Sequence, residues 1–417
     1  MWGHMPDTLK ARDYTFSRPK LAAEVDNEGG TVNDHNETWS TFTWSGADKH
    51  CDILPGMRQF GALATVVPTS VQDVAGWPMQ GNFYWSSLAG MSGQHHAADV
   101  SNRSEAQKPD DTTFIVSCVD KEAPDVEPKL VLTPGSYDST IKAMKVKVGE
   151  EASLRLTITD SKNNDQPLAY YYFSLHLDDG INRKNQTDAA WETHPVQIDG
   201  GSNVRKVDAH TYEGITDANG EATLTLTQPG GVGVKTHITA RMRSDFTASD
   251  EKDVIFTVIT SPDTDKARMW GHMLGIIEAN NIFKRPRLAD ETDNEQGSVR
   301  ENNEDWALFD QNSSMQAECG LGHIPSQSSL HSLFAAHPAN AIGTEYGWPT
   351  LQKAYLSAVE ETSHASVNLA TGNIDTYSGF KQNYLSCSGN EMVAQIAATT
   401  DRDVSRSEEH TSELQSH

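Results

Sequence analysis

The side chains with the most chemistry to offer are four cysteines, Cys51, Cys118, Cys319 and Cys387, in a chain of 417 residues. They form two pairs at nearly equal intervals, and neither pair has the Cys-x-x-Cys spacing of a zinc or thioredoxin-type site. One disulfide within each pair is the economical reading, worth roughly 4 kcal/mol on a loop-entropy account. It implies an oxidising compartment; the alternative is two buried thiols per pair in a reducing one. His95, His96 and Asp99 could ligate a metal, since one histidine and the aspartate fall at helical spacing. No fourth ligand is evident, and a solvent-facing loop is the expectation there. Gly230-Gly231-Val232-Gly233-Val234-Lys235-Thr236 faintly suggests a phosphate loop, but a valine separates glycine from lysine, and a hairpin between strands is expected. Asp217-Ala218-Asn219-Gly220-Glu221 lacks the spaced acids of a calcium loop and reads as a turn. There is no nucleophile elbow, zinc-protease motif or catalytic Cys/His signature, so neither catalysis nor a cofactor or metal is expected.

The cysteine pairs sit inside a repeat. Met1-Trp2-Gly3-His4-Met5 returns as Met269-Trp270-Gly271-His272-Met273, and Phe16-Ser17-Arg18-Pro19-Lys20-Leu21 as Phe283-Lys284-Arg285-Pro286-Arg287-Leu288. Trp39 maps to Trp306, each followed three residues on by Phe42 or Phe309. Gly76-Trp77-Pro78 maps to Gly347-Trp348-Pro349, Tyr84 to Tyr355, and each cysteine to its counterpart. An in-register return of this kind marks two copies of one module. The repeated Trp2, Trp39 and Trp77, with Trp270, Trp306 and Trp348, are expected to pack the cores. Trp44 and Trp85 have no counterpart in the second copy, so these two, with His95 and His96, form the candidate ligand surface.

The elements that must position these groups follow from spacing. Asp34 to Cys51 reads as a helix: Asp34 and Glu37 resemble a capping box, and Trp39, Phe42 and Gly46 fall at helical intervals. In the second copy Trp306, Phe309, Ser313 and Ala317 share a face and Cys319 closes it. A proline step follows (Leu54-Pro55, Ile324-Pro325). Ser326 is then placed to cap a second helix carrying Leu330, Leu333 and Phe334, whereas Gly56 and Gly61 weaken that helix in the first copy. Phe83 to Ser87 reads as a strand, and Phe114, Val116 and Cys118 alternate on one face of another.

Between the copies the character changes. After the proline-rich stretch 123–128, Leu154, Leu156 and Ile158 alternate, as do Ala222, Leu224 and Leu226, then Ile238 and Ala240, then Val254, Phe256 and Val258. Short strands at regular intervals without helical period read as a β-sandwich of immunoglobulin-like type. The expected organisation is a first module over 1–119, the sandwich over 120–262, a second module over 263–400 and a disordered tail over 401–417. Residues 406–417 resemble the translation of a sequencing adapter. Met1, matching the internal Met269, reads as an internal methionine of a longer parent chain, so any leader or membrane attachment would belong to parts of the parent outside this sequence.

A formal net charge of −25 argues against a nucleic-acid partner, which needs clustered Lys and Arg. No apolar run approaches the ~20 residues that span a bilayer, and no signal peptide opens the chain.

Together, a Cys-ended helix, a Leu/Ile-Pro step, Gly-Trp-Pro, an aromatic strand and a closing Ser-Cys strand resemble the C-type-lectin-like modules of intimin/invasin-type bacterial adhesins. Their alternation with an Ig-like module resembles the RatA-like repeat adhesins related to that family. The resemblance covers nearly all of residues 1–400. It implies a multidomain protein in which two α+β C-type-lectin-like modules flank one all-β Ig-like sandwich, with Cys51 paired to Cys118 and Cys319 to Cys387. It further implies a fragment of a non-catalytic rod at the bacterial cell surface, on the outer-membrane side facing out, that meets a host-surface protein or glycan receptor. A passive spacer within such a rod is the alternative, and a glycan-acting surface enzyme a more distant one. Sugar-binding lectins hold calcium with Glu-Pro-Asn or Gln-Pro-Asp and a later Trp-Asn-Asp; here Lys108-Pro109-Asp110 stands alone, so protein recognition is expected.

Overall fold

The computed structural model describes residues 5–26, 29–66, 76–78, 82–122, 125–187, 196–242, 248–311, 313–359, 364–377 and 381–389. Trp2 and the expected tail 401–417 lie outside them. The chain is multidomain and mostly β, and it divides into two compact units: residues 1–181, 187–231 and 235–256, and residues 182–186, 232–234 and 257–417.

In the first unit the first copy of the repeat opens with two hairpins, Thr8–Ala11 against Tyr14–Ser17 and Gly30–Asp34 against Glu37–Thr41. The second hairpin corrects the expected helix over Asp34 to Cys51. His35 and Asn36 both take positive φ (54° and 61°), the two-residue turn whose twist matches paired strands. Trp39 then lies opposite Val32 in the ladder. The helix α1 begins only at Trp44 and runs to His50, capped by Thr43, whose side chain accepts from the Gly46 amide. In the second copy Asn302 and Asn303 (φ 53° and 64°) make the same turn, between strands Gly297–Glu301 and Glu304–Leu308. Trp306 and Phe309 therefore precede that copy's helix, α3 (Ser313–Cys319). The tryptophan–phenylalanine interval fits a helix numerically, yet local turn chemistry decides otherwise.

Helix α2 (Met57–Val66) forms despite its internal glycine. A Cβ at Gly61 would lie 2.0 Å from the Tyr170 carbonyl oxygen, so the helix crosses the following module's backbone where only hydrogen fits. This close approach offsets the ~1 kcal/mol helix cost of glycine. A three-stranded antiparallel sheet follows, Tyr84–Ala89, Gln94–Asp99 and Ser104–Pro109. Residues 114–119 close the copy through single bridges, Phe42 with Phe114 and Tyr84 with Ile115. Alternation there splits the side chains between two cores. Ile115 and Val119 join Phe16, Phe60, Leu63, Trp77 and Tyr84, while Phe114, Val116 and Cys118 join Phe42, Leu54 and Trp85.

The Ig-like part is two facing sheets. One pairs Ala152–Asp160 with Pro128–Pro134 and with Glu221–Thr227; the other contains Thr211–Ile215, Tyr172–Leu177 and Val234–Met242 in that order. Leu154, Leu156, Ile158, Leu224 and Leu226 are fully buried, as their period of two requires. Because Glu221–Thr227 and Val234–Met242 belong to different sheets, the glycine-rich segment 228–233 passes from sheet to sheet and is not the expected hairpin. Asp217 closes its turn by accepting from the Asn219 and Glu221 amides, with Gly220 at φ 73°.

In the second unit the repeated Gly271–Met273 runs parallel to Val258–Pro262. Glu304, buried, accepts from the Arg268 and Met269 amides (2.8 and 2.7 Å), and Ser261 Oγ lies 2.8 Å from it. Helix α4 (Gln327–Ala336) is capped by Ser326 and buries Leu330 and Leu333, as expected. A short helix, α5 (Ala341–Thr344), precedes the Gly-Trp-Pro turn.

Candidate ligand surface

The candidate residues separate into layers. At α1's first residue, the Trp44 indole stacks on the His95 ring, 3.6 Å between centroids and 10° between planes. Its Nε1 donates to the Ser86 carbonyl (3.0 Å), and its amide donates to the Asp110 carbonyl (3.0 Å). The Asp110 carboxylate lies 2.7 Å from His95 Nδ1, and Lys108, opposite His95 in the ladder, sits 4.4 Å over the Phe83 ring. Trp44, His95, Lys108 and Asp110 thus form one partly exposed patch offering a ring face, a cation and a carboxylate. Lys108-Pro109-Asp110 is built into it by hydrogen bonding and cation–π contact.

Trp85 and His96 do not belong to that surface. Trp85 is fully buried: its Nε1 donates to the Phe42 carbonyl (2.7 Å), and its ring meets Phe114 edge-on at 5.0 Å. His96 lies inside with Glu105, 3.8 Å from it. The expected solvent-facing loop at His95 and His96 is a strand, Gln94–Asp99. Neighbouring strand residues point to opposite faces, so the two histidines cannot share a metal. Asp99 is occupied by Ser101 Oγ, the Asn102 amide and Asn102 Nδ2, holding the next turn. Among the described residues, no group of three His, Cys, Asp or Glu side chains could hold a metal.

The second copy keeps the scaffold and changes the patch. By ladder register His364 occupies the place of His95, and Ser357 that of Ser86. Buried Gln311 takes over from Trp44: its Nε2 donates to the Ser357 carbonyl (2.8 Å) and its Oε1 lies 3.0 Å from His364 Nδ1.

What the copies share is framework. Cys51–Cys118 and Cys319–Cys387 are disulfides, each with Cα atoms 5.2 Å apart, tying the end of a helix to the closing segment. Trp39, Trp77, Trp306 and Trp348 are buried. Trp77 Nε1 donates to the Pro6 carbonyl and Trp348 Nε1 to the Leu274 carbonyl. After each tryptophan, the proline carbonyl accepts from a tyrosine hydroxyl, Tyr84 or Tyr355, whose ionisation burial pushes well up. The glycine before each tryptophan takes positive φ, 71° at Gly76 and 78° at Gly347. Trp270 departs from the expected core role; it is only partly buried, with the Arg183 guanidinium 4.8 Å over its ring.

Two further framework features rest on buried or paired glutamates. The Arg-Pro-x-Leu run repeats because Arg18 and Arg285 each pair with a glutamate six residues on, Glu24 or Glu291, which also accepts from the Leu21 or Leu288 amide. Glu301, buried beside the second hairpin turn, accepts from the Thr350, Leu351 and Gln352 amides and the Tyr384 hydroxyl.

The two modules are thus disulfide-braced, tryptophan-centred units joined to an Ig-like sandwich. The family model of the InvE-type adhesion domain matches residues 1–119 and 262–388, and that of bacterial immunoglobulin-like domain 21 matches residues 149–259. The first covers more than half the chain, which therefore belongs to the InvE adhesion-domain family of intimin/invasin-type cell-surface adhesins. Among solved structures, the Yersinia pseudotuberculosis adhesin InvE is similar at 25% identity and TM-score 0.53, over 90% of this chain and 86% of that one. The D00-D0 domain of intimin matches 39% of this chain and 62% of its own at 14% identity, with a TM-score of 0.20. No curated protein matches the chain. No helix among the described residues is long and apolar enough to cross a membrane.

Proposed function

We propose that the chain is a length of a non-catalytic bacterial surface rod whose first module attaches to a host-cell or matrix protein through the patch of Trp44, His95, Lys108 and Asp110. In this reading the modules are C-type-lectin-like, spanning 1–119 and 263–400 around an Ig-like sandwich at 120–262. The protein stands on the outer face of the bacterial outer membrane. One observation carries the proposal: beside corresponding strands, the first copy places a partly exposed tryptophan where the second keeps a buried glutamine. Tryptophan is a residue type enriched at the centres of protein contacts, with polar groups at the rim around it. Lysine where sugar-binding lectins place a calcium-holding acid favours a protein receptor over calcium-dependent glycan binding.

A spacer role is the second reading for the second copy, favoured by its glutamine-sealed patch. Both are tested by binding the whole chain to cultured host cells and to immobilised matrix proteins, with and without a calcium chelator. Calcium-independent binding lost on Trp44→Gln supports attachment by the first module. No binding to any surface makes both modules spacers.

A further inference from the structure

Apart from the outward patch, the first unit has a hollow where α2 meets the Ig-like module. A cavity of about 470 Å³, within the range that encloses small ligands, is lined by Arg58, Gln59, Ser87, Leu88, Tyr171 and Tyr172 among others. Among its described lining residues Arg58 is the one charged side chain. The guanidinium packs over the Tyr171 ring at 5.8 Å, and its Nη1 is buried without a hydrogen-bond partner. Asp160, close enough to raise the Tyr171 hydroxyl, is held at Oδ1 by the Glu127 and Lys162 amides. Gln59 is also committed, accepting from the Gly56 amide and donating to the Lys121 carbonyl. Burial pushes the Tyr171 hydroxyl up to about 12, so it remains a donor at neutral pH.

A half-buried cation without a carboxylate costs free energy that an incoming anion recovers. Two tyrosine rings and Leu88 offer a face to a flat or ring-shaped body beside it. We propose that this cavity binds a small organic carboxylate with a ring-sized body, its carboxylate against Arg58. The second copy lacks the cation: where α2 begins with Met57 and Arg58, α4 begins with Gln327 and Ser328. The site stands apart from the attachment patch, so a failure of the Trp44 experiment leaves it standing.

Calorimetric titration of the whole chain with glucuronate and benzoate, and with glucose and benzyl alcohol as uncharged counterparts, tests the proposal. Saturable binding of a carboxylate over its uncharged counterpart is expected; the glucuronate arm identifies a sugar acid and the benzoate arm an aromatic one. Arg58→Gln should weaken it about tenfold or more, the loss of one charge-assisted hydrogen bond. Ala89→Trp, which fills the cavity and keeps the arginine, should abolish it; thermal melts verify that both variants fold. Equal affinity for charged and uncharged probes, unchanged affinity in Arg58→Gln, or no binding up to about 10 mM, where even weak sites fill, overturns the proposal.

Discussion

The two copies of the adhesion module share a buried framework and differ in the patch beside a common histidine. Trp39 and Trp306, Trp77 and Trp348, Tyr84 and Tyr355, and both disulfides occupy matching places with matching hydrogen bonds. Around them, one position next to a shared histidine carries Trp44 in one copy and Gln311 in the other, both bonded to the same strand carbonyl. A module can therefore exchange its outward chemistry without disturbing its framework, because the exchanged side chain keeps one anchoring bond. A tandem of such modules can vary its outward chemistry from copy to copy.

The comparison can be broken first at the framework. Trp306→Ala removes a fully buried indole and should cost about 3–5 kcal/mol, and Trp39→Ala the same in the first copy; denaturant melts that differ greatly between the two would contradict equivalent cores. Reducing the disulfides should cost each module about 2–5 kcal/mol, read as a lower melting temperature with dithiothreitol. An unshifted melt would show that the bridges brace nothing.

Next comes the brace beside the second hairpin turn. Glu301→Ala strands three amides and the Tyr384 hydroxyl, at about 3 kcal/mol, read from denaturant melts. An unchanged stability would show that the buried carboxylate braces nothing.

The smallest effect is electrostatic. Arg18 holds the Glu24 carboxyl down to about 2. A depressed carboxyl contributes stability above its unfolded value near 4.5 that is lost as pH falls towards 2; solvent exposure limits it to less than about 1 kcal/mol. Burial holds Glu304 in the opposite direction, above 4.5. Its contribution falls as pH rises through the window between 4.5 and its raised value, so acidification favours the fold there. Acid titration of Arg18→Ala and Glu304→Gln should separate the two slopes; slopes of the same sign would contradict these assignments.

Much of this arrangement was readable from sequence. The tandem cysteines, the Gly-Trp-Pro turns and the alternating sandwich strands each carry a signal that local geometry enforces. The hairpin from Gly30 to Thr41 reads in part as a helix because Trp39 and Phe42 fit a helical interval, while the His-Asn and Asn-Asn turns that override it leave no apolar pattern. Trp85 reads as a surface residue because the second copy lacks it; its burial depends on Phe42 and Phe114, which meet it only in three dimensions. Glu301 and Glu304 look like surface acids in sequence, since the amides they satisfy lie about 35 to 50 residues away. Gly61 reads as a helix breaker until Tyr170 is seen against it.

The central claim is that the first copy's outward patch makes the contact. Its most direct test is the affinity of the whole chain for host-cell surfaces before and after Trp44→Gln, with the melting temperature followed in parallel. The account predicts binding reduced about tenfold or more with both modules still folded. Undiminished binding by the folded variant would contradict it.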